Sequence, residues 1–341
     1  MQILTLHEQE ELELQLIKQE LESGGVVVIP TETVYGLAAN AFNEQAVNKI
    51  FEVKGRPKDN PLIVHISNVN MLNELVQEVS AKAKKLMDKF WPGPLTLVMK
   101  KQDILPDAVT CGLNTVGIRM PKHKLALKII ETVGFPLAAP SANLSGRPSP
   151  TEVSHCVEDL GEKANFIVDG GRCEVGVEST VLLVAEEPFV ILRPGIINQK
   201  QIEDVLQEKV LVNDGLQPKE DRIVKSPGVK YKHYAPKAEV LLIVGDFKEF
   251  KNYVETEADL KTCAMVFEDE INNFSVKCFS YGKQSEPESL AKNIFTILRQ
   301  VDKENYKRVF VHMPKQNAET LVIWNRLIRA ANFKLTNLNK R

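Results

Sequence analysis

The chain has 341 residues, of which 43% are apolar and 26% are charged, and its formal net charge is −2 at pH 7. This length exceeds what one ordinary hydrophobic core accommodates and predicts two domains. The near-neutral net charge disfavours a nucleic-acid-binding protein of the strongly basic kind. It does not exclude a local basic groove.

The cysteines are irregularly spaced, and no two of them form the Cys-x-x-Cys pair of a zinc knuckle. Free thiols in a reducing compartment are therefore expected. The opening stretch MQILTLHEQEELELQLIKQE is acidic and amphipathic, unlike a signal peptide, and no apolar run approaches the length of a membrane span. These features predict a cytoplasmic protein without membrane association.

Residues 1–212 alternate amphipathic helices with short apolar strands, which is typical of a mixed α/β sheet. A first helix is predicted at 8–22, with Leu12, Leu16 and Leu21 on one side and Ser-Gly-Gly at its end. The later elements are strand 25–30, helix 43–55, strand 61–66, helices 69–79 and 81–90, strands 94–99 and 116–121, helix 125–133, strand 135–141, helix 150–160, strand 166–171 and a hairpin at 179–195.

Residues 213–237 have no apolar period and are rich in proline, glycine and basic residues, which predicts a linker. Periodicity then returns over 238–341 and predicts a smaller, Rossmann-like α/β domain with an open parallel sheet. Its elements are strand 240–245, helix 246–254, strands 263–267 and 276–282, helix 288–301, strand 308–314 and helix 319–333.

Common nucleotide and metal motifs are missing from the sequence. It contains no GxxxxGK[ST] loop, no GxGxxG turn after a strand, no HExxH and no carboxylate cluster of metal-binding spacing. A nucleotide would therefore bind by an uncommon route, and any metal would arrive with the phosphates of that nucleotide.

The stretch VKGRPKDNPLIVHIS, residues 53–67, carries three cations before an apolar strand. Helix termination explains Lys54 in a last turn and Gly55 just beyond it. It does not explain Arg56 and Lys58, since close cations repel each other and a polyanion would stabilise them. The spacing alone is compatible with both a solvated turn and a phosphate site.

Two further polar residues lie in predicted strands. His65 is expected on the same side of its strand as Ile63, either as a satisfied core histidine or as a ligand contact. Arg119 lies in an apolar strand and needs a carboxylate, which either the protein or a ligand supplies. Thr33 follows another buried strand, either in a capped turn or as a hydrogen-bond donor to a small ligand.

The segment AAPSANLSGRPSPTE, residues 138–152, is rich in small and hydroxyl residues. Ser149, Pro150 and Glu152 have the spacing of a helix cap, a proline at the first helical position and an acidic third residue. Ser141 and Asn143 have no such duty and suit close approach by a flat ligand. Ser179 and Arg193, at strand ends, are weak signals individually.

The ordered set PTETVYGL, KGRPKDNPLIVHI, WPGPLTLVM, VGIRMP, APSANLSGRPSPT, ESTVL and LRPG resembles the threonylcarbamoyl-AMP synthases of the YrdC/Sua family. The core resemblance covers roughly residues 10–200. The stretch SPGVKYKHYAPK and the extra α/β domain resemble the long, two-domain Sua type. The resemblance implies a YrdC-like twisted sheet (1–212) with a basic groove, a linker or lid (213–237) and a C-terminal domain (238–341).

The resemblance also implies synthesis of threonylcarbamoyl-AMP and pyrophosphate from L-threonine, bicarbonate and ATP, with Mg²⁺ carried by ATP. The product would supply a downstream threonylcarbamoyl transferase that modifies adenosine 37 of tRNA. The motif positions imply threonine contacts at Thr33, His65, Arg119, Ala139 and Ser179. They imply ATP contacts at Lys54, Arg56, Asn60, Thr115, Ser141, Asn143, Ser149, Arg193 and Tyr234, with Lys54 and Arg56 stabilising phosphate charge.

Further expectations concern the linker, rival functions and nucleic-acid binding. The linker is expected to fold over the groove, with Tyr234 reaching ATP. An RNA-binding module using the basic groove is the main alternative, although interleaved aromatic residues are lacking. A carbamoyltransferase of the hydrogenase-maturation type is disfavoured, because no Cys-x-x-Cys pair is present. A stable nucleic-acid complex is not expected.

Overall fold

The computed structural model describes residues 1–5, 10–217 and 234–340, and these residues form two sheets flanked by helices. The strands are β1 (Gln2–Leu4), β2 (Val27–Ile29), β3 (Gly36–Asn40), β4 (Ile63–His65), β5 (Leu95–Lys100), β6 (Thr115–Arg119), β7 (Leu137–Ala138), β8 (Phe166–Val168), β9 (Thr180–Leu183), β10 (Val190–Arg193), β11 (Leu211–Val212), β12 (Glu239–Val244), β13 (Thr262–Phe267), β14 (Lys277–Gly282), β15 (Arg308–His312) and β16 (Leu335–Asn337). The helices are α1 (Glu10–Glu22), α2 (Glu44–Lys54), α3 (Leu72–Leu75), α4 (Ala81–Phe90), α5 (Asp107–Thr110), α6 (Lys124–Val133), α7 (Val153–Leu160), α8 (Gln199–Leu206), α9 (Phe247–Glu257), α10 (Pro287–Lys303) and α11 (Leu321–Ala330), with short 3-10 turns at Val69–Met71, Glu268–Glu270 and Leu338–Lys340.

The first sheet is mixed, as the sequence predicts, and its strand order is β1-β8-β2-β3-β7-β4-β6-β5-β9-β10-β11. At its centre β4 pairs parallel with β6, so that His65 lies opposite Arg119. The strand β4 also pairs antiparallel with β7, and the predicted hairpin forms between β9 and β10. This arrangement brings the ends of strands distant in sequence to one part of the sheet.

The second sheet is open and fully parallel, with the order β14-β13-β15-β12-β16. This confirms the predicted parallel α/β domain. Its fourth strand in chain order, β15, lies between its first two, β12 and β13. The two units share apolar contacts, because Val34 and Val177 of the first unit pack into the core beneath the second sheet. That contact lies next to the cavity described below.

Local signals explain both ends of the helix α2. The helix α2 begins at Asn43, whose side chain accepts a hydrogen bond from the Ala46 amide. It ends at Gly55, which has a φ of 60° in the left-handed region that favours glycine. The prediction that Lys54 occupies the last turn of this helix is therefore confirmed.

Two local predictions were wrong in detail. The buried face of α1 is formed by Leu14, Ile17 and Leu21, while Leu12 is exposed. The helix predicted at 69–79 ends at Leu75, because Val76 forms an antiparallel bridge with Lys101 beside the end of β5. Pairing with a strand distant in sequence replaces the last helical turns there.

Among the described residues, no helix has both the length and the apolar character needed to span a membrane.

Candidate active site

A deep cavity lies where strand ends of the first sheet meet the start of the second unit. The empty space within and above it amounts to about 740 Å³, part of which is open solvent at its mouth. Its wall is formed by Thr31, Thr33, Val34, Tyr35, Gly36, Lys54, Arg56, Ile63, His65, Arg119, Ala139, Pro140, Ser141, Asn143, Ser145, Gly146, Arg147, Glu178, Ser179, Arg193 and Tyr234.

The turn after β2 positions Thr33. The Thr31 hydroxyl donates to the carbonyl of Val34 over 2.6 Å and contacts the Thr33 hydroxyl at 2.9 Å. Both threonines are buried, so the turn is rigid. The capped-turn and ligand interpretations of Thr33 are therefore compatible, because the cap is made by Thr31 and leaves Thr33 on the cavity wall.

Lys54 holds the loop that follows β7. Its ammonium donates to the carbonyls of Ser141 and Asn143, and in return the Ser145 amide donates to the Lys54 carbonyl over 2.9 Å. Burial, and next the positive charge of Arg56, lower the pKa of Lys54 well below its usual value. Lys54 thus fixes the cavity-lining loop in place.

Arg56 is oriented by its own loop. Its Nε donates to the Asn60 carbonyl and its Nη2 to the Pro61 carbonyl, each over 3.1 Å. Burial lowers the pKa of Arg56 from 12.5 to about 10, which still leaves it charged at neutral pH. Lys58 is exposed and lies off the cavity wall. The three cations of this stretch therefore divide into two that face the cavity and one that faces solvent.

His65 lies at the end of β4 and lines the cavity together with Ile63, as the strand alternation predicts. Burial, and next the charge of Arg119, lower the pKa of His65 from 6.5 to about 3. Its Nδ1 is buried and has no hydrogen-bond partner among the described residues. A neutral imidazole with an unused nitrogen is suited to hydrogen bonding with a ligand rather than to carrying charge.

Arg119 has a carboxylate partner within the protein. Its Nη2 lies 2.6 Å from Oε2 of Glu32, and both side chains are almost fully buried. These two atoms form an ion pair, but they are not aligned well enough to count as a hydrogen bond. The Nε of Arg119 donates to the Gly93 carbonyl over 3.2 Å. Glu32 thus answers why a buried arginine is tolerated, and Arg119 still reaches the cavity wall.

Ser179 and Arg193 form one unit at the start of β9 and the end of β10. The Nε and Nη2 of Arg193 donate to the Ser179 carbonyl over 3.1 and 3.0 Å, and Nη2 contacts the Ser179 hydroxyl at 3.2 Å. Thr96 contacts the same hydroxyl at 2.8 Å. Burial lowers the pKa of Arg193.

Glu178 is the carboxylate on the cavity wall, and the sequence analysis gave it no role. Ser149 donates to its Oε1 over 2.5 Å, and Nε of Arg326 in α11 donates to its Oε2 over 2.8 Å. The predicted helix cap at Ser149 is therefore wrong. The helix α7 begins at Val153 after Glu152, and the Ser149 hydroxyl is used by a carboxylate distant in sequence.

Tyr234 follows the undescribed part of the linker, residues 218–233, on which the lid prediction mainly falls. Its ring lies 5.1 Å from that of Phe295 and 5.5 Å from the guanidinium carbon of Arg326. The next amide, of Ala235, donates to the carbonyl of Gly146 over 2.8 Å, which ties the linker end to the cavity rim. Tyr234 itself lines the cavity.

Three predicted residues lie off this wall within the described part of the chain: Asn60, Thr115 and Ser149. Thr115 lines an adjoining apolar slot together with Pro61, Ile63 and Val181. The Oδ1 of Asn60 and the Oγ1 of Thr110, another residue of this slot, are buried without a hydrogen-bond partner among the described residues. The slot continues from the cavity through Ile63, which lines both.

The structure thus brings together most of the predicted residues on one wall: Thr33, Lys54, Arg56, His65, Arg119, Ala139, Ser141, Asn143, Ser179, Arg193 and Tyr234. Their combined charge is positive, which suits an anionic ligand. Glu32, Glu178 and Arg326 were missed by the sequence analysis. Glu178 directly precedes the quoted Ser179 and could have been singled out as a buried acid at a strand start.

Comparisons with known proteins identify the family of each part of the chain. A family model described as "Telomere recombination" matches residues 19–195, and one described as "Threonylcarbamoyl-AMP synthase, C-terminal domain" matches residues 197–332. The structure of Escherichia coli YciO superimposes on the first unit with a TM-score of 0.51 at 22% identity, covering 57% of this chain and 96% of that chain, which is a likeness of fold alone.

Curated relatives match over nearly the full length. The threonylcarbamoyl-AMP synthase of Pyrococcus abyssi is 40% identical and covers 96% of both chains, and that of Bacillus subtilis is 43% identical and covers 92% of both. The crystal structure of P. abyssi Sua5 complexed with L-threonine superimposes with a TM-score of 0.91 at 38% identity, covering 99% of this chain and 100% of that chain. The chain belongs to the threonylcarbamoyl-AMP synthase family.

Proposed function

We propose that the protein joins L-threonine, bicarbonate and ATP into threonylcarbamoyl-AMP, with release of pyrophosphate, and that the cavity is where these substrates meet. The observation that carries the proposal is the juxtaposition, on one wall, of buried arginines with a neutral histidine whose Nδ1 has no partner among the described residues. The family relationship and the threonine complex of the P. abyssi relative support the same assignment.

We place the threonine end of the cavity at Thr33, His65, Arg119, Ala139 and Ser179. Arg119 would pair with the threonine carboxylate while Glu32 holds it from behind. His65 is neutral and would share a hydrogen bond without adding charge. The hydroxyls of Thr33 and Ser179 would contact the polar groups of the amino acid.

We place the nucleotide at the opposite end, where Lys54, Arg56 and Arg193 would stabilise the phosphates. Ser141, Asn143 and Tyr234 share this wall. Thr115, which lines the adjoining apolar slot, and Asn60, whose Oδ1 has no hydrogen-bond partner among the described residues, would lie toward the adenine. Ser149 would act on ATP indirectly through Glu178.

Mg²⁺ would enter as part of the MgATP substrate. Within the described ranges, no cluster of three or more histidine, cysteine, aspartate or glutamate side chains has metal-binding geometry. Glu178, the carboxylate on the wall, is already held by Ser149 and Arg326. Such a donor set fits a metal held mainly by phosphates and water.

The chemistry requires positioning more than acid–base catalysis. The threonine amine takes up the carbon of bicarbonate with loss of water and forms a carbamate. A carbamate oxygen then attacks the α-phosphorus, and the bond from that phosphorus to pyrophosphate breaks. Holding a weak nucleophile in line supplies proximity, and the cations offset charge that grows on the leaving phosphates.

The test is a substrate-omission assay with MgATP, threonine and bicarbonate, each left out in turn. Pyrophosphate release should depend on all of them. Release that continues unchanged without threonine or bicarbonate would contradict the proposal. The same assay with serine in place of threonine would show whether the site reads the threonine methyl group.

We further propose that the product supplies a downstream threonylcarbamoyl transferase that acts on tRNA in the cytoplasm. The free thiols of the five cysteines are compatible with that compartment. Direct RNA binding by the groove is less well supported, because Lys54, Arg119 and Arg193 are buried rather than displayed on an open surface. We keep the division into catalytic domain (1–212), linker (213–237) and C-terminal domain (238–341) as part of this proposal.

A further inference from the structure

The helix α11 of the second unit sends one arginine across to the first unit. Arg326 is fully buried and is the largest such side chain in the described residues. Its Nε and Nη2 donate to Glu178, to Oε2 over 2.8 Å and to the carbonyl over 3.3 Å, and its Nη1 donates to Asn325 over 2.6 Å. A planar guanidinium used in this way fixes both the side chain and the backbone of its partner.

Glu178 connects this arginine to the cavity. It lines the wall, accepts a hydrogen bond from Ser149 and directly precedes Ser179, to which Arg193 is bound. Burial would raise the pKa of Glu178, but the charges of Arg326 and Arg193 together with the Ser149 hydrogen bond outweigh it and lower the pKa. Glu178 is therefore an anion shared between one cation on the wall and one behind it.

The same guanidinium supports the linker end. Its carbon lies 5.5 Å from the centroid of the Tyr234 ring, within the range of a cation–π contact. Tyr234 has a φ of 65°, which is unfavourable for a tyrosine, so surrounding contacts must hold it there. Arg326 thus touches two residues of the cavity wall, Glu178 and Tyr234.

We propose that Arg326 is a positioning residue for the nucleotide end of the site, so that the C-terminal unit completes the active site of the first. This rests on the proposed function. Without Arg326, Glu178 would turn toward Arg193, its other neighbouring cation, and Arg193 would be less available to phosphates. Tyr234 would lose the contact beneath its ring at the same time.

The test compares Arg326→Gln with Arg299→Gln. Arg299 is also a buried arginine of the second unit, and it binds Asp159 of the first over 2.7 Å; neither side chain lines the cavity, and Asp159 reaches the wall only through its ion pair with Arg147 at the rim. Both variants lose a buried contact between the units, so both should melt at lower temperature. Arg326→Gln should raise the KM for ATP about tenfold or more and the KM for threonine less, whereas Arg299→Gln should change both by less than about threefold.

A double mutant separates action through Glu178 from a general loss of structure. Glu178→Gln alone should also raise the KM for ATP, and adding Arg326→Gln should cost clearly less than the product of the two single effects. A folded Arg326→Gln variant whose kinetics match those of Arg299→Gln would overturn the proposal. If Arg326→Gln does not fold, Glu178→Gln decides, and an unchanged KM for ATP would overturn it.

Equilibrium binding of MgATP to the full-length variants keeps this inference separate from the proposed function. A wild-type protein that binds MgATP but releases no threonine-dependent pyrophosphate would contradict the proposed reaction alone. Weaker MgATP binding by Arg326→Gln would still support the positioning role. Equal binding by wild type and Arg326→Gln would contradict that role whatever the reaction.

Discussion

Each sheet buries a histidine at the end of a strand that pairs in parallel with a neighbour. The two histidines differ in how fully their ring nitrogens are hydrogen bonded. His312 of β15 contacts Glu270 at 2.8 Å and the Gly245 carbonyl at 3.1 Å, and its ring stacks on Phe250 at 4.4 Å. His65 of β4 is neutral and leaves Nδ1 without a partner in the described residues. Burial of a polar group is costly unless it is paired, so the unpaired case is the one that points to a ligand.

The same contrast extends to the rest of each unit. The first unit surrounds a cavity with buried cations whose hydrogen-bonding capacity is only partly used. The second unit satisfies the buried polar groups around His312 internally, and Tyr281 donates to the His312 carbonyl over 2.5 Å. We therefore propose that the first unit does the chemistry and that the second unit supports it through α11.

The largest expected effect separates two basic residues of one loop. Arg56→Gln should lower kcat/KM for ATP by about 100-fold or more, because a half-buried guanidinium on the cavity wall, proposed to contact the phosphates, is lost. Lys58→Gln should stay within about twofold, since the exposed amine is largely screened. Steady-state pyrophosphate release measures both. Equal losses in the two variants would mean that the loop acts by overall charge rather than by its fixed arginine.

Substitution of the two histidines should have opposite effects on substrate binding and on stability. His65→Leu should raise the KM for threonine about tenfold with little loss of stability, because its unused nitrogen is assigned to the substrate. His312→Leu should lower the free energy of unfolding by about 3 kcal/mol and leave KM unchanged, because Glu270 stays buried without its partner. Urea denaturation and kinetics on both variants check this, and the opposite pattern would reverse the assignment of the two units.

Acid should destabilise the protein through His65. Between pH 6.5 and about 3 the unfolded chain binds a proton at this ring that the folded chain does not bind. The free energy of unfolding should therefore fall as pH falls through this window, by about 2 kcal/mol from this ring between pH 6.5 and 5. The measurement is urea denaturation at both pH values, and His65→Leu should lose that much less. An identical slope in the variant would place the protonation elsewhere.

The smallest effect concerns the helix end that positions the basic loop. Gly55→Ala should lower the free energy of unfolding by about 1 kcal/mol, because alanine resists the left-handed φ of 60° although nothing crowds its Cβ. Gly55→Asn should cost less, since asparagine tolerates that conformation better. Thermal melting distinguishes the two, and equal costs would show that backbone conformation does not determine this helix end.

Sequence reasoning succeeded where the signal is local. Asn43 and Gly55 define the ends of α2, and strand alternation places Ile63 and His65 on one side. The ordered motifs then indicated the family and most of the residues that line the cavity. Apolar period alone also predicted α10 and α11 closely, although only α10 buries one broad face, whereas nearly every residue of α11 is buried.

It failed where the partner is distant in sequence. The spacing of Ser149 matches a helix cap, but its hydroxyl binds Glu178. Arg326 lies in an amphipathic helix, where an arginine is ordinarily solvated, and only the packing of the two units buries it. Glu32, the partner of Arg119, looks like an ordinary turn residue in the sequence. Such contacts depend on tertiary structure and leave no periodic trace.

We propose that three substrates meet and react in a single cavity of the first unit. The most direct measurement supplies ¹³C-bicarbonate with MgATP and threonine to the full chain and analyses the nucleotide product by mass spectrometry. The expected product is a mixed anhydride of AMP and the threonine carbamate, carrying the labelled carbon and formed in step with pyrophosphate. An AMP–threonine adduct without the label, or pyrophosphate formed without any such adduct, would contradict the proposal.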